Sequence, residues 1–262
     1  MLEKQMECEA QMAVSKPDLI IRGGMVVTMV EDRQPIMECD VCVTDGRITE
    51  IRKVDDEGHA DERDLEIIDA KDELVMPGLI NGHTHTAMTL FRGFADDLPL
   101  KQWLFEKIFP AEAKFLNAET VYWGSLLGCL EMIASGTTCF IVGYFLQDET
   151  VRAVRQSGLR ALIAQGIIDF PAPGVENPKK NLEVAKGFVE KWLGVSNLIT
   201  PGMFCHSPLT CSERTLKAAW ELSQLFNLPL QIHLSETIQE VNDIENKVGK
   251  KPVHYLRDIG LV

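Results

Sequence analysis

No stretch of the 262-residue chain reaches the roughly 18 to 20 apolar residues of a membrane span, and its acidic N-terminus, Met1 to Glu9, lacks the apolar core of a secretory leader. The expectation is a protein of the reducing cytoplasm. Clusters of Lys and Arg are missing as well. With a formal charge of -13 and no basic patch to interrupt it, the chain repels phosphate backbones and anionic lipid, so neither nucleic acid nor a membrane is expected as a partner. A second CxxC is also lacking. Cys39-Asp40-Val41-Cys42 therefore cannot complete a four-thiolate zinc knot, and its cysteines open a predicted strand, where residues three apart face opposite sides. These and the other cysteines read better as small, partly buried hydrophobes. Internal repeats and low-complexity segments are absent too.

What is present is ordinary globular composition, 45% hydrophobic and 25% charged, enough for one or two domains with real cores. Residues 1–17 read as a flexible extension. Residues 18–74 read as a small β-sandwich-like unit, with β-branched runs at 18–30 and 40–54, a hairpin turn at Asp45-Gly46 and a short strand at 65–68. From residue 75 to 262 the pattern becomes strand, loop, helix. Strands are predicted at 79–85, 137–142, 159–168, 197–205 and 228–234, and helices at 100–108, 117–135, 148–157, 181–193 and 212–226, with further helix from 237. Asn117 is placed to cap the second helix, and Trp123, Leu126, Leu127, Leu130, Ile133 and Ala134 recur as its apolar face. The fold class expected is α/β, a partial TIM-like (β/α) barrel of five strand-helix units. The residues after Leu74 fall short of the ~250 that eight such units occupy.

Chemistry concentrates at the ends of these strands. His83 and His85, two apart in Asn81-Gly82-His83-Thr84-His85, project to one side of the first barrel strand and can grip one cation. His233 closes the fifth strand, and Glu236 follows three residues later, where a carboxylate can move protons to and from a water on a metal. His206 holds the same place on the fourth strand, open to a role as ligand, substrate contact or loop hydrogen-bonder. His59 and His254 lie away from strand ends and read as solvated. Arg152, Arg155, Arg160 and Gln165 lie near the third strand, and one of them is placed to touch a substrate.

Three motifs in order, Pro77 to Glu112 (PGLINGHTHTAMTLFRGFADDLPLKQWLFEKIFPAE), His206 to Ser212 (HSPLTCS) and Ile232 to Thr237 (IHLSET), resemble the amidohydrolase superfamily and, within it, the 5-methylthioadenosine/S-adenosylhomocysteine deaminases. The resemblance implies His83, His85 and His233 as ligands of one divalent metal, zinc first, with iron, manganese or nickel as alternatives. It implies Glu236 as the general acid/base, Glu112 and His206 as contacts to substrate ribose and base, and Trp103 as a pocket residue. The substrate implied is a purine nucleoside, deaminated by hydrolysis. The family's later histidine and metal-binding aspartate have no counterpart here, so this chain alone is expected to be inactive or very weakly active. A chlorohydrolase or another aminohydrolase is the alternative chemistry, and a non-catalytic truncated or split-gene half is the alternative of another class. A homo-oligomer and a complementing C-terminal half both stay open as partners.

Overall fold

The computed structural model describes residues 16–30, 34–54 and 65–261. The predicted extension lies almost wholly outside them, as does His59. The described residues fall into two compact units, one up to Pro77 and one from Gly78 onward.

The first unit is a five-stranded sheet of β1 (Leu19–Val26), β2 (Ile36–Thr44), β3 (Arg47–Lys53), β4 (Glu66–Asp69) and β5 (Leu74–Val75), in the order β3-β2-β1-β4 with β5 also on β1. Strands β2 and β3 form the expected hairpin: Asp45 and Gly46 take φ of 51° and 69°, the pair of positive values that a tight two-residue turn needs. Cys39 and Cys42 are both buried, and burial pushes both thiols up, away from the thiolate that metal binding needs.

The second unit carries five parallel strands, β6 (Leu79–Thr84), β7 (Thr137–Tyr144), β8 (Arg160–Ile167), β9 (Ile199–Cys205) and β10 (Leu230–Ile232), in the order β10-β9-β8-β7-β6. Each step between neighbours passes through helix, as a parallel sheet requires. The helices are α1 (Leu100–Gln102), α2 (Phe109–Phe115), α3 (Ala118–Ala134), α4 (Gln147–Ser157), α5 (Asn181–Trp192), α6 (Glu213–Phe226), α7 (Ile238–Val248) and α8 (Pro252–Asp258). Among the described residues β6 and β10 are the open edges of this curled half-barrel. No helix among them is long and apolar enough to cross a membrane.

Two expectations need correction. The helix placed at 100–108 continues to Phe115, passing through a π-helical stretch at Trp103–Ile108. Pro110 has no N–H to return to the Glu106 carbonyl and its ring crowds that oxygen, so the turn before it widens. The second correction concerns α3. Asn117 does cap it, accepting from Thr120 N at 3.0 Å while Thr120 Oγ1 accepts from Asn117 N at 2.9 Å. The face it buries, however, is Val121, Gly124, Ser125, Gly128, Cys129 and Met132, whereas Trp123, Leu127, Leu130 and Ile133 are exposed. Gly124 explains the reversal: a Cβ there would stand 2.5 Å from the Ala87 carbonyl oxygen, so the helix lies directly on the 3-10 turn Thr86–Phe91 that follows His85. Close backbone approach selects small residues on the buried side.

Candidate metal centre

Strand β6 ends at Thr84, and its last residues carry His83 and, one step beyond, His85 at the start of the 3-10 turn. Strand β10 ends at Ile232, which puts His233 on the neighbouring rim of the curled sheet. The curl brings residues 148 positions apart into contact: His85 Nε2 lies 3.1 Å from His233 Nε2. One ring nitrogen from each of His83, His85 and His233 falls within 4.8 Å of the others, and the three rings stand edge to face at centroid distances of 4.9, 5.1 and 5.2 Å.

The donor set fits a divalent cation. His85 Nδ1 lies 2.5 Å from the Gly143 carbonyl, which can only accept, so Nδ1 carries the proton and the Nε2 lone pair faces the cluster. Burial lowers His85 to about 4 and His233 to about 4, so both rings are neutral at physiological pH, the form in which imidazole ligates metal. A tetrahedral zinc ion with Zn–N near 2.0–2.1 Å spaces its nitrogens roughly 3.3 Å apart, close to the observed 3.1 Å.

A cavity of about 750 Å³ opens beside these rings, lined by the three imidazoles and by Glu236, Glu112, His206 and Trp103. All seven residues that the family motifs single out, His83, His85, His233, Glu236, Glu112, His206 and Trp103, therefore border one space. Glu236 is exposed at the rim, near enough to His85 for its charge to oppose the lowering there. His206 sits edge-on to His233 at 5.2 Å between ring centroids, with Nδ1 2.9 Å from the Thr210 hydroxyl; it stands outside the three-imidazole cluster. Burial lowers its pKa to about 3. Glu112 is 3% exposed, burial pushes its carboxyl up to about 7, and the Tyr144 hydroxyl donates to it at 2.6 Å. The Tyr144 hydroxyl is itself pushed up, first by burial and then by the carboxylate it faces. Phe109 and Phe204 supply apolar wall on either side of His206.

The arginines near β8 do not reach this space. Arg152 pairs with Glu149 over the Tyr122 ring, and Arg160 donates to the Asn197 carbonyl at 2.9 Å. Gln165 is buried beside a separate cavity of about 340 Å³, where its Oε1 accepts from Gln147 N at 3.3 Å. His254 is exposed on α8. Two residues at the site were not singled out from the sequence. Tyr144 sits at the C-terminal end of β7, a position that itself marks active-site residues in such sheets. Glu240 follows Thr237 by three, the spacing of a helix N-terminal capping pair.

The amidohydrolase family profile matches residues 74–262. The chain belongs to the amidohydrolase family. Over 250 residues it is 46% identical to a 5-methylthioadenosine/S-adenosylhomocysteine deaminase of Carboxydothermus hydrogenoformans, covering 95% of this chain and 56% of that one. Over 244 residues it is 46% identical to a 5'-deoxyadenosine deaminase of Methanosarcina acetivorans, covering 93% and 55%. Among solved structures, an adenosine deaminase from Xanthomonas campestris with bound zinc superposes with a TM-score of 0.86 at 34% identity, over 94% of this chain and 56% of the other. This amidohydrolase thus spans little more than half the length of the relatives it matches.

Proposed function

We propose that this chain forms the metal-holding part of a hydrolytic deaminase of adenosine-type nucleosides, with zinc as the resident cation and 5'-methylthioadenosine, S-adenosylhomocysteine or adenosine as substrate. The observation that carries the reading is the meeting of His83, His85 and His233 at one rim, with Glu236 and Glu112 lining the same cavity. Two relatives named as nucleoside deaminases and a zinc-bound adenosine deaminase structure support it.

His83, His85 and His233 would hold the cation, which when bound supplies a Lewis acid able to lower the pKa of water to about 7. Glu236 takes a proton from the attacking water and delivers it to the purine ring nitrogen, and the remaining hydroxyl proton passes to the departing amino group, so the carbon–nitrogen bond breaks to release ammonia and leave a carbonyl. Glu112, deep in the cavity beside Tyr144, offers a carboxylate to the ribose hydroxyls. Trp103, Phe109 and Phe204 give the base an apolar surface, while His206 offers it a ring nitrogen.

A substrate panel tests this. The zinc-loaded chain is assayed alone and with a polypeptide corresponding to the part of the relatives that it does not span. Ammonia release from methylthioadenosine and S-adenosylhomocysteine is expected, weak from the chain alone because β6 and β10 are open edges among the described residues, and strong on complementation. Chloride release from a chlorinated triazine without ammonia release from any nucleoside would overturn it and favour the chlorohydrolase alternative. Zinc binding with no turnover in either mixture would favour a non-catalytic half.

A further inference from the structure

The structure assigns Glu240 as the positioning residue for Glu236; this rests on the reading of Glu236 as the proton-carrying group. Strand β10 runs out at Ile232, and the chain must reverse within five residues to enter α7 at Ile238. Ser235 makes that reversal with φ of 59°, a left-handed conformation that is unfavourable for a non-glycine residue. Glu240 holds it in place. The side chain of this buried residue, 6% exposed, accepts from Ser235 N at 3.1 Å through Oε1 and from Glu236 N at 2.7 Å through Oε2. Its own N–H donates to Thr237 Oγ1 at 3.2 Å. In an ordinary capping pair the third helical residue reaches back only to the cap residue. Here the carboxylate reaches one and two residues further, to the pair that turns the chain after His233.

The consequence is specific. Glu236 is exposed, and its backbone N–H is held by the 2.7 Å bond to Glu240. Glu240 borders the same cavity, but both of its carboxylate oxygens are engaged by the turn, so it sets where the Glu236 carboxylate stands relative to the imidazoles of His233 and His85. A catalytic carboxylate displaced by even ~1 Å can lose on the order of a hundredfold in rate, so a buried, doubly bonded carboxylate at this turn serves the site rather than the helix alone.

The test compares the whole chain with Glu240→Gln, Glu240→Ala and Glu240→Ala/Ser235→Gly. Amide hydrogen exchange is read at residues 235 and 236, and the pH midpoint of the visible spectrum is read with cobalt(II) in place of zinc. Glu240→Ala is expected to cut protection of those two amides at least tenfold, with the remaining α7 amides changed less than about twofold and cobalt affinity changed less than about threefold. Its spectral midpoint should move in the same direction as that of Glu236→Gln. Glu240→Gln, which keeps one oxygen acceptor, should lie between, and Ser235→Gly, which removes the left-handed penalty, should restore part of the shift. Unchanged protection at 235 and 236, or a spectral midpoint that stays put, would overturn the assignment. So would loss of protection along all of α7, which would make Glu240 a helix-stability residue. Neither readout needs turnover, so a chain that binds metal but deaminates nothing would sink the deaminase reading while this result still decided the role of Glu240.

Discussion

His85 Nε2 faces His233 Nε2 at 3.1 Å, although β6 and β10 are the two outermost strands of their sheet. Neutral imidazoles at that distance can each turn a ring-nitrogen lone pair to one cation, and a cation that binds only the folded chain stabilises it by mass action. Zinc at a hundredfold excess over its dissociation constant adds about 2.7 kcal/mol, which for a unit of this size raises Tm by roughly 5–10 °C. The shift should be reversed by a chelator and should vanish in His85→Ala and His233→Ala. Differential scanning calorimetry with and without zinc checks it.

Glu112 makes stability depend on pH. A carboxyl whose folded pKa is raised, here from 4.5 to about 7, stabilises fully below the unfolded value and loses that contribution as pH rises through the folded one. Between pH 5 and pH 8 the chain should lose roughly 2 to 3 kcal/mol relative to Glu112→Gln. All four tryptophans, Trp103, Trp123, Trp192 and Trp220, lie in the second unit, so urea unfolding followed by tryptophan fluorescence isolates it. Parallel stability profiles for the two proteins would show that burial does not govern this carboxyl.

Gly124 and Gly187 make a matched pair. Both are helical, and alanine is the better helix former by up to about 1 kcal/mol. A Cβ at Gly187 meets nothing within 4 Å, whereas one at Gly124 meets the Ala87 carbonyl oxygen at 2.5 Å. Gly187→Ala should therefore stabilise slightly, and Gly124→Ala should destabilise by about 1–3 kcal/mol. The latter should also weaken zinc binding, because the turn it displaces follows His85 directly. Equal effects in chemical unfolding would contradict this account of why α3 buries its small face.

Much of this arrangement was legible from local pattern. The alternation of β-branched strands with capped helices located every strand of the second unit, and His83 and His85, two apart in sequence, bring ring nitrogens within 4.8 Å of each other. What failed did so where distant segments set the rule. The exposed stripe of Trp123, Leu127 and Leu130 has helical periodicity, but periodicity cannot say that Gly124 must meet the Ala87 backbone, and Gly128 the Thr86 side chain, in the turn after β6. Tyr144 gave no sign of its bond to Glu112, since the two lie 32 positions apart on a strand and a helix that meet only in the folded chain. Arg152 and Arg160 looked available to a substrate by sequence position, yet the outward faces of α4 and the start of β8 carry them away from it.

Equilibrium zinc titration against a competing chelator decides whether three imidazoles share one cation. One zinc per chain is expected, with tight binding lost in each of His83→Ala, His85→Ala and His233→Ala by more than the ten- to hundredfold that loss of a ligand's hydrogen-bond partner costs, and unchanged stoichiometry in Cys39→Ser/Cys42→Ser. No zinc bound by the intact chain, or zinc retained by all three histidine variants and lost with the two cysteines, would contradict it.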